Sequence, residues 1–250
     1  MDTPLPAAPA IILVCPQMGE NIGAAARAML NCGMTEMRIV APRDGWPNEA
    51  ATAMSAGAET ILENARLFDT TAEAIADLQF ILATTARSRD MIKPVFTPEG
   101  GATECISRTQ NGQKCGILFG PERSGLVNED VACADAVLNI PVNPDFSSLN
   151  LAQAVLLLGY CWYGRATDPD RPAKQLQHGD TVPATKKELQ HMLTHLEDEL
   201  EAGGFFKAPD RRPKTMRSLH NMFGRMDLTA QEIMTLHGII SALSGRKSWK

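Results

Sequence analysis

The chain has 250 residues, 44% of them hydrophobic and 21% charged, with a net charge of −5; this is the make-up of a folded globular chain, not of a disordered or collagen-like one. Its longest aliphatic runs, such as 154–158, are far too short to span a bilayer, and Asp2 stands where a signal peptide would carry its basic region, so a cytoplasmic protein with no membrane attachment is expected. Cys15, Cys32, Cys105, Cys115, Cys133 and Cys161 form no Cys-x-x-Cys pair, so reduced, mostly buried thiols are expected and no disulfide framework or metal site is indicated.

Short apolar runs bounded by turn residues predict strands at 10–15, 37–41, 80–84, 115–119 and 137–142. Helical patterns fall between and after them, at 20–31, 48–56, 70–77, 97–109, 127–133 and 147–163. Such alternation implies an α/β fold, a mostly parallel sheet with helices on both faces. The last helix is apolar nearly all round, so burial against both the sheet and a partner is expected. Residues 164–183 turn to Pro, Asp, Gly and Gln without periodicity and read as a linker. A small helical extension follows at 184–250, with capping boxes at Thr185–Glu188 and Thr229–Glu232 and a third helix between them around Met216, Leu219, Met222 and Phe223.

Charge is divided unevenly between these parts. Residues 1–202 carry 15 Lys and Arg against 26 Asp and Glu, whereas 203–250 carry 9 against 3. A basic tail on an acidic body suits contact with a polyanion, although a solvated helical surface has the same composition.

Three stretches put polar groups where a buried element should end. Asn21-Ile-Gly-Ala-Ala-Ala-Arg27 follows the first strand; it reads as a helix start with Asn21 as its cap, or as an Ala-rich packing helix with an exposed Arg. Ile117-Leu-Phe-Gly-Pro-Glu-Arg-Ser-Gly-Leu126 places Gly120 and Glu122 at a strand's carboxyl end, where open α/β sheets bind ligands; the alternative is a tight turn with a solvated Glu-Arg pair. Asn139-Ile-Pro-Val-Asn-Pro-Asp-Phe-Ser-Ser-Leu-Asn150 brings hydroxyls and an amide to a helix N-terminus, as a ligand site or as plain Ser capping. Neither the P-loop pattern nor G-x-G-x-x-G is present.

These stretches carry a resemblance. Asn21 to Arg27, Phe119-Gly-Pro-Glu-Arg-Ser-Gly-Leu126 and Ser148-Leu-Asn150 resemble the three motifs of the SpoU/TrmH branch of the SPOUT methyltransferases, over about residues 9 to 163. The doubled Ser147-Ser148, the segment Thr84-Thr-Ala-Arg-Ser-Arg89 and the helical extension look most like the TrmJ type. The resemblance implies a deep trefoil knot in the C-terminal part of the α/β domain, which general folding rules count as exceptional. It implies S-adenosyl-L-methionine as cofactor, contacted by Thr84, Thr85, Ala86, Gly120, Ile140, Ser147, Ser148 and Leu149. It also implies a homodimer in which Arg27 of one chain faces Ser148 and Asn150 of the other.

The reaction so implied is methyl transfer to a ribose 2′-hydroxyl of RNA, at the first nucleotide of the tRNA anticodon loop (position thirty-two). Arg27 is then expected to hold the neighbouring phosphate and stabilise the developing alkoxide, because a guanidinium with a pKa above about 12 is a poor base. Asn21 and Glu122 would fix Arg27, while Ser148 and Asn150 line the ribose. Arg87, Arg89, Lys93, Lys207, Arg211, Arg212, Lys214 and Arg217 are the candidate RNA contacts. Phe205 and Phe206 are read as packing under the first tail helix in preference to stacking on bases. Three other readings are open: transfer to ribosomal RNA, a non-catalytic RNA-binding knot dimer, and a small-molecule enzyme that would leave the basic tail unexplained.

Overall fold

A computed structural model describes residues 5–85, 91–167, 181–206 and 211–245. Ala86, Arg87, Arg89, Lys207 and most of the expected linker lie outside the described residues. Among the described residues the body has seven strands: β1 (Ala10–Val14), β2 (Met37–Val40), β3 (Arg66–Phe68), β4 (Phe80–Thr84), β5 (Val95–Phe96), β6 (Cys115–Phe119) and β7 (Ala136–Leu138). They form one sheet in the order β3-β2-β1-β6-β4-β7-β5, and every pairing is parallel. β1, β4 and β6 are central and almost fully buried, which is why their sequences are continuous aliphatic runs with no polar alternation. Each fully buried Ile or Leu there contributes about 1.5–3 kcal/mol relative to an exposed one.

Helices cover both faces: α1 (Gly19–Asn31), α2 (Glu49–Ser55), α3 (Glu59–Glu63), α4 (Thr71–Ile75), α5 (Pro98–Gln110), α6 (Asn128–Ala132) and α7 (Leu151–Thr167), with a 3-10 turn at Pro144–Phe146. The small residues of α1 do the packing expected of them: a Cβ on Gly23 would fall 2.1 Å from the carbonyl oxygen of Ala51, so α1 and α2 touch backbone to backbone. α7 buries Leu151, Val155, Leu158 and Trp162 against α1 and α5. Its opposite row, Leu156, Leu157, Tyr160 and Tyr163, is exposed in the single chain. The extension supplies α8 (Lys186–Ala202), α9 (Arg211–Gly224) and α10 (Ala230–Leu243), around a core of Met192, Leu193, Ile233 and Ile240. Both expected capping boxes close: Thr185 and Thr229 accept from the N–H groups of Glu188 and Glu232. No described helix is long and apolar enough to cross a membrane.

Several sequence expectations are corrected. β3 and β5 were not anticipated, because edge strands of three and two residues leave no apolar run. The strand expected at 137–142 ends at Leu138, and the chain to Val142 leaves the sheet. The helix expected from 147 begins at Leu151 and continues to Thr167. Arg38, inside an apolar strand, is 1% exposed; it donates to the Ala74 carbonyl at 2.6 Å and pairs with Asp77 and Glu36. Cys32, Cys105 and Cys115 are buried thiols, but Cys15 is exposed, at a left-handed φ of 46° where β1 turns out of the sheet.

Candidate active site

The chain runs from β1 outward to β2 and β3, then crosses back to build the other half of the sheet, so neighbouring β1 and β6 feed loops that depart in opposite directions. Such a switch point opens a crevice at the strands' carboxyl ends. A cleft of about 290 Å³ lies beside it, at the carboxyl ends of β4, β6 and β7, close to the small end of ordinary ligand sites (about 300–1,000 Å³). Its walls come from three loops: Thr84 and Thr85 after β4, Gly120 to Gly125 after β6, and Ile140 to Leu149 after β7. Every described residue expected to contact a cofactor is in the lining, namely Thr84, Thr85, Gly120, Ile140, Ser147, Ser148 and Leu149.

The walls are tied to one another through the backbone. Thr84 Oγ1 donates to the Leu118 carbonyl at 2.8 Å, and the Thr85 N–H donates to the Leu138 carbonyl at 3.1 Å. Asn139 Nδ2 donates to the Thr85 carbonyl at 3.3 Å. Gly120 is needed for a reason nearer home than ligand approach: its own loop returns over it, and a Cβ would lie 2.2 Å from the Leu126 nitrogen. That return is set by Gly125, whose φ is +67° and whose N–H donates to the Pro121 carbonyl at 2.8 Å.

A polar chain links all three motifs at the mouth of the cleft. Asn21 Nδ2 donates to Glu122 Oε1 at 2.7 Å, and Asn150 Nδ2 donates to Asn21 Oδ1 at 2.9 Å. The other Glu122 oxygen accepts from the Gln17 N–H at 2.9 Å, and Gln17 Oε1 in turn accepts from the Arg123 N–H at 3.3 Å. Gln17 was not picked out from the sequence; the signal available was its place three residues beyond β1, at the same switch point. Two capping assignments change. α1 starts at Gly19 behind Met18, so Asn21 lies in its first turn with its amide free for Glu122. Asn150, and neither Ser147 nor Ser148, caps α7: its Oδ1 accepts from the N–H groups of Ala152 and Gln153 at 2.9 and 3.3 Å. The two serine hydroxyls stay exposed in the cleft wall.

Arg27 does not join this chain of bonds. It lies six residues past Asn21 on α1, about 240° around the helix, exposed and without a hydrogen bond or ion pair among the described residues. Within the single chain, Asn21 and Glu122 bond to each other and not to Arg27.

The expected RNA contacts divide. Lys93 is only 9% exposed and donates to the carbonyls of Ala132 and Ala134, so it is no surface cation; burial pulls its pKa down to about 8. Its neighbours in sequence suggested a basic cluster, but the fold turns it inward. Arg212 pairs with Glu197 and Glu201 at 2.8 and 3.0 Å, and Arg217 pairs with Glu129. Arg211 and Lys214 remain exposed on α9. Phe205 is 58% exposed, its ring edge-on to Phe206 at 5.5 Å, so it does not pack under α8 as expected.

A parallel sheet with its cleft at the carboxyl ends of β4, β6 and β7, lined by the second and third motifs and bonded to the first through Asn21, defines a SPOUT-class RNA methyltransferase, a class that uses S-adenosyl-L-methionine. The chain belongs to the SpoU rRNA Methylase family, whose model matches residues 8–160; a second model, the C-terminal domain of the tRNA methyltransferase TrmJ, matches 187–249. It is 33% identical over 237 residues to the tRNA (cytidine/uridine/adenosine-2′-O-)-methyltransferase TrmJ of Pseudomonas aeruginosa, covering 92% of this chain and 91% of that protein. It is also 33% identical to the tRNA (cytidine/uridine-2′-O-)-methyltransferase TrmJ of an Escherichia coli strain, covering 93% and 94%. The crystal structure of TrmJ from Z. mobilis superposes with a TM-score of 0.83 at 46% identity, covering 95% of this chain and 99% of that one.

Proposed function

We propose that this protein transfers the methyl group of S-adenosyl-L-methionine to the 2′-hydroxyl of a tRNA ribose, at the first nucleotide of the anticodon loop. The observation that carries the reading is the bonded chain Glu122–Asn21–Asn150 at the mouth of a cleft lined by every described candidate cofactor contact. The match of residues 187–249 to a TrmJ C-terminal model favours tRNA over ribosomal RNA as acceptor.

The residues present fit that cofactor. Leu138, Ile140, Leu149 and Leu151 offer apolar surface for an adenine ring, while Thr84, Thr85, Ser147 and Ser148 bring hydroxyls for a ribose and an amino acid. When bound, the sulfonium supplies an electrophilic methyl group. Transfer would need the ribose hydroxyl held in line with that methyl group and its proton released to solvent, and Ser148 and Asn150 are the residues placed to hold it. Glu122 and Asn21 keep the α1 and β6 loops in register, and Asn150 fixes the start of α7, so that Ser148 and Asn150 present a rigid edge to the incoming ribose. Arg27, exposed and without a partner among the described residues, reads as a group offered to a second subunit, where it holds the phosphate and stabilises the alkoxide.

The dimer reading is supported by the exposed row Leu156, Leu157, Tyr160 and Tyr163 on α7, packed beside α1, which carries Arg27. The strand order supports the expected knot, since β6 inserts between β1 and β4 and α7 returns between α1 and α5. We assign methyl transfer to 1–163, joined through 164–183 to a basic RNA-contacting extension at 184–250. A tRNA transcript carrying 2′-deoxyribose at the first anticodon-loop nucleotide should accept no methyl while the unsubstituted transcript does. Equal incorporation into both would move the target elsewhere.

A further inference from the structure

The extension does more than sit beside the body: it reaches the amino ends of the strands whose carboxyl ends form the cleft. At the start of α8 the Lys186 N–H donates to the Leu78 carbonyl at 2.8 Å, and the Lys187 N–H to the Ala76 carbonyl at 3.0 Å. The Lys186 ammonium pairs with Asp135, both side chains being only 8% exposed. The other Asp135 oxygen accepts from the Ile81 N–H at 2.7 Å, and the Asp135 N–H donates to the Ile81 carbonyl at 2.9 Å. One carboxylate thus staples the start of β4 to the start of β7, and the extension neutralises it. Removing one partner of such a buried pair leaves an uncompensated charge, the costly case.

A second joint lies one strand over. Lys93 binds the carbonyls of Ala132 and Ala134, where α6 ends ahead of β7, and Gly224 at the end of α9 closes over the same spot. A Cβ on Gly224 would lie 3.4 Å from the Ala134 oxygen and 3.6 Å from that of Ala132. Asn221 Nδ2 and Arg225 Nη1, both from the extension, reach the Ile92 carbonyl at 3.4 Å. Immediately beyond Lys93, the Pro94 carbonyl accepts from the Val137 N–H and the Phe96 carbonyl from the Asn139 N–H, each at 2.9 Å, which sets β5 against β7. Asn139 then holds the Thr85 carbonyl, and the cleft begins. From Ile81 to Thr84 is about 10 Å at ~3.3 Å per residue, with every intervening residue locked in the ladder.

We propose that the helical extension is a positioning element for the cofactor cleft, setting the spacing of β4 and β7 from their amino ends, with Lys186 and Lys93 as the positioning residues. This rests on reading the cleft as the S-adenosyl-L-methionine site. It gives the extension a role that needs no RNA: the cofactor is bound well only when the extension is docked.

The test uses the full chain and no RNA. Binding of S-adenosyl-L-methionine is measured by calorimetry for the unaltered protein, Lys186→Met, Lys93→Met and the milder Asn221→Ala, at a temperature where circular dichroism reports each as folded. The tRNA KM is measured in parallel. Both lysine variants should raise the cofactor Kd about tenfold at unchanged stoichiometry, and Asn221→Ala about two- to threefold, with the tRNA KM moved less than about twofold. A merely structural role predicts lower stoichiometry with the Kd unmoved. Unchanged Kd in the folded variants, beside normal binding by the unaltered protein, overturns the inference alone. Failure of the unaltered protein to bind overturns the cofactor reading of the cleft and this inference with it.

Discussion

Asn21 and Glu122 are 101 positions apart, yet the amide of one donates to the carboxylate of the other at 2.7 Å, closing the switch point between β1 and β6. The same carboxylate accepts from the Gln17 N–H, so its loss strands two donors. Glu122→Ala should lower stability by about 1–3 kcal/mol in a denaturant titration, and Glu122→Gln, which keeps one acceptor, by less. Both should weaken cofactor binding, because the Gly120 to Gly125 wall loses its tie to α1.

Arg27 tests the shared site. Because Arg27 is exposed and has no partner among the described residues, Arg27→Ala should change stability by less than about 0.5 kcal/mol while abolishing methyl transfer and leaving cofactor affinity intact. Mixing it with an inactive Asn150→Ala variant should restore about a quarter of full activity, since half the dimers are mixed and one of their two sites is whole. No recovery after subunit exchange would put both residues in one chain's site.

The histidines of the extension give it an acid limit. Burial pushes the pKa of His220 and of His237 below the usual 6.5, and His195 and His237 share a hydrogen bond at 2.9 Å between their Nδ1 atoms. Below 6.5 the unfolded chain takes up protons that the folded one resists, so stability falls as the pH drops from 6.5 through the lowered folded values. Melting temperature should decline over that window, and His237→Gln should flatten the decline. A melting temperature level from pH 7 to 5 would contradict the assignment.

Among the described cations proposed for RNA on the extension, only Arg211 and Lys214 are exposed with no partner among the described residues. Each phosphate contact adds about 0.7–0.9 to the slope of log affinity against log salt, so the double alanine variant should flatten it by about 1.5. An unchanged slope would move the RNA off α9.

What the sequence made legible was whatever is local. The aliphatic runs of β1, β4 and β6 announce central parallel strands, and the Thr185 and Thr229 capping boxes announce α8 and α10 within a residue. The cleft was legible because its lining follows strand ends in chain order. The place of Lys93 is not legible locally because burial is a tertiary property: its ammonium meets carbonyls 39 and 41 positions away. Asn21 likewise looks like a cap from its neighbours, and only the approach of Glu122 gives it another task. Short edge strands such as β5 are defined by their partner and leave no trace in their own two residues.

Methyl transfer to a tRNA ribose is read out by nucleoside mass spectrometry. Purified protein is incubated with S-adenosyl-L-methionine and either unmodified tRNA or ribosomal RNA, and the digests are searched for 2′-O-methylated nucleosides. A 2′-O-methyl nucleoside is expected in tRNA alone, and it should be absent with Arg27→Ala. Methylation confined to ribosomal RNA, or none in either RNA while the cofactor binds, would contradict it.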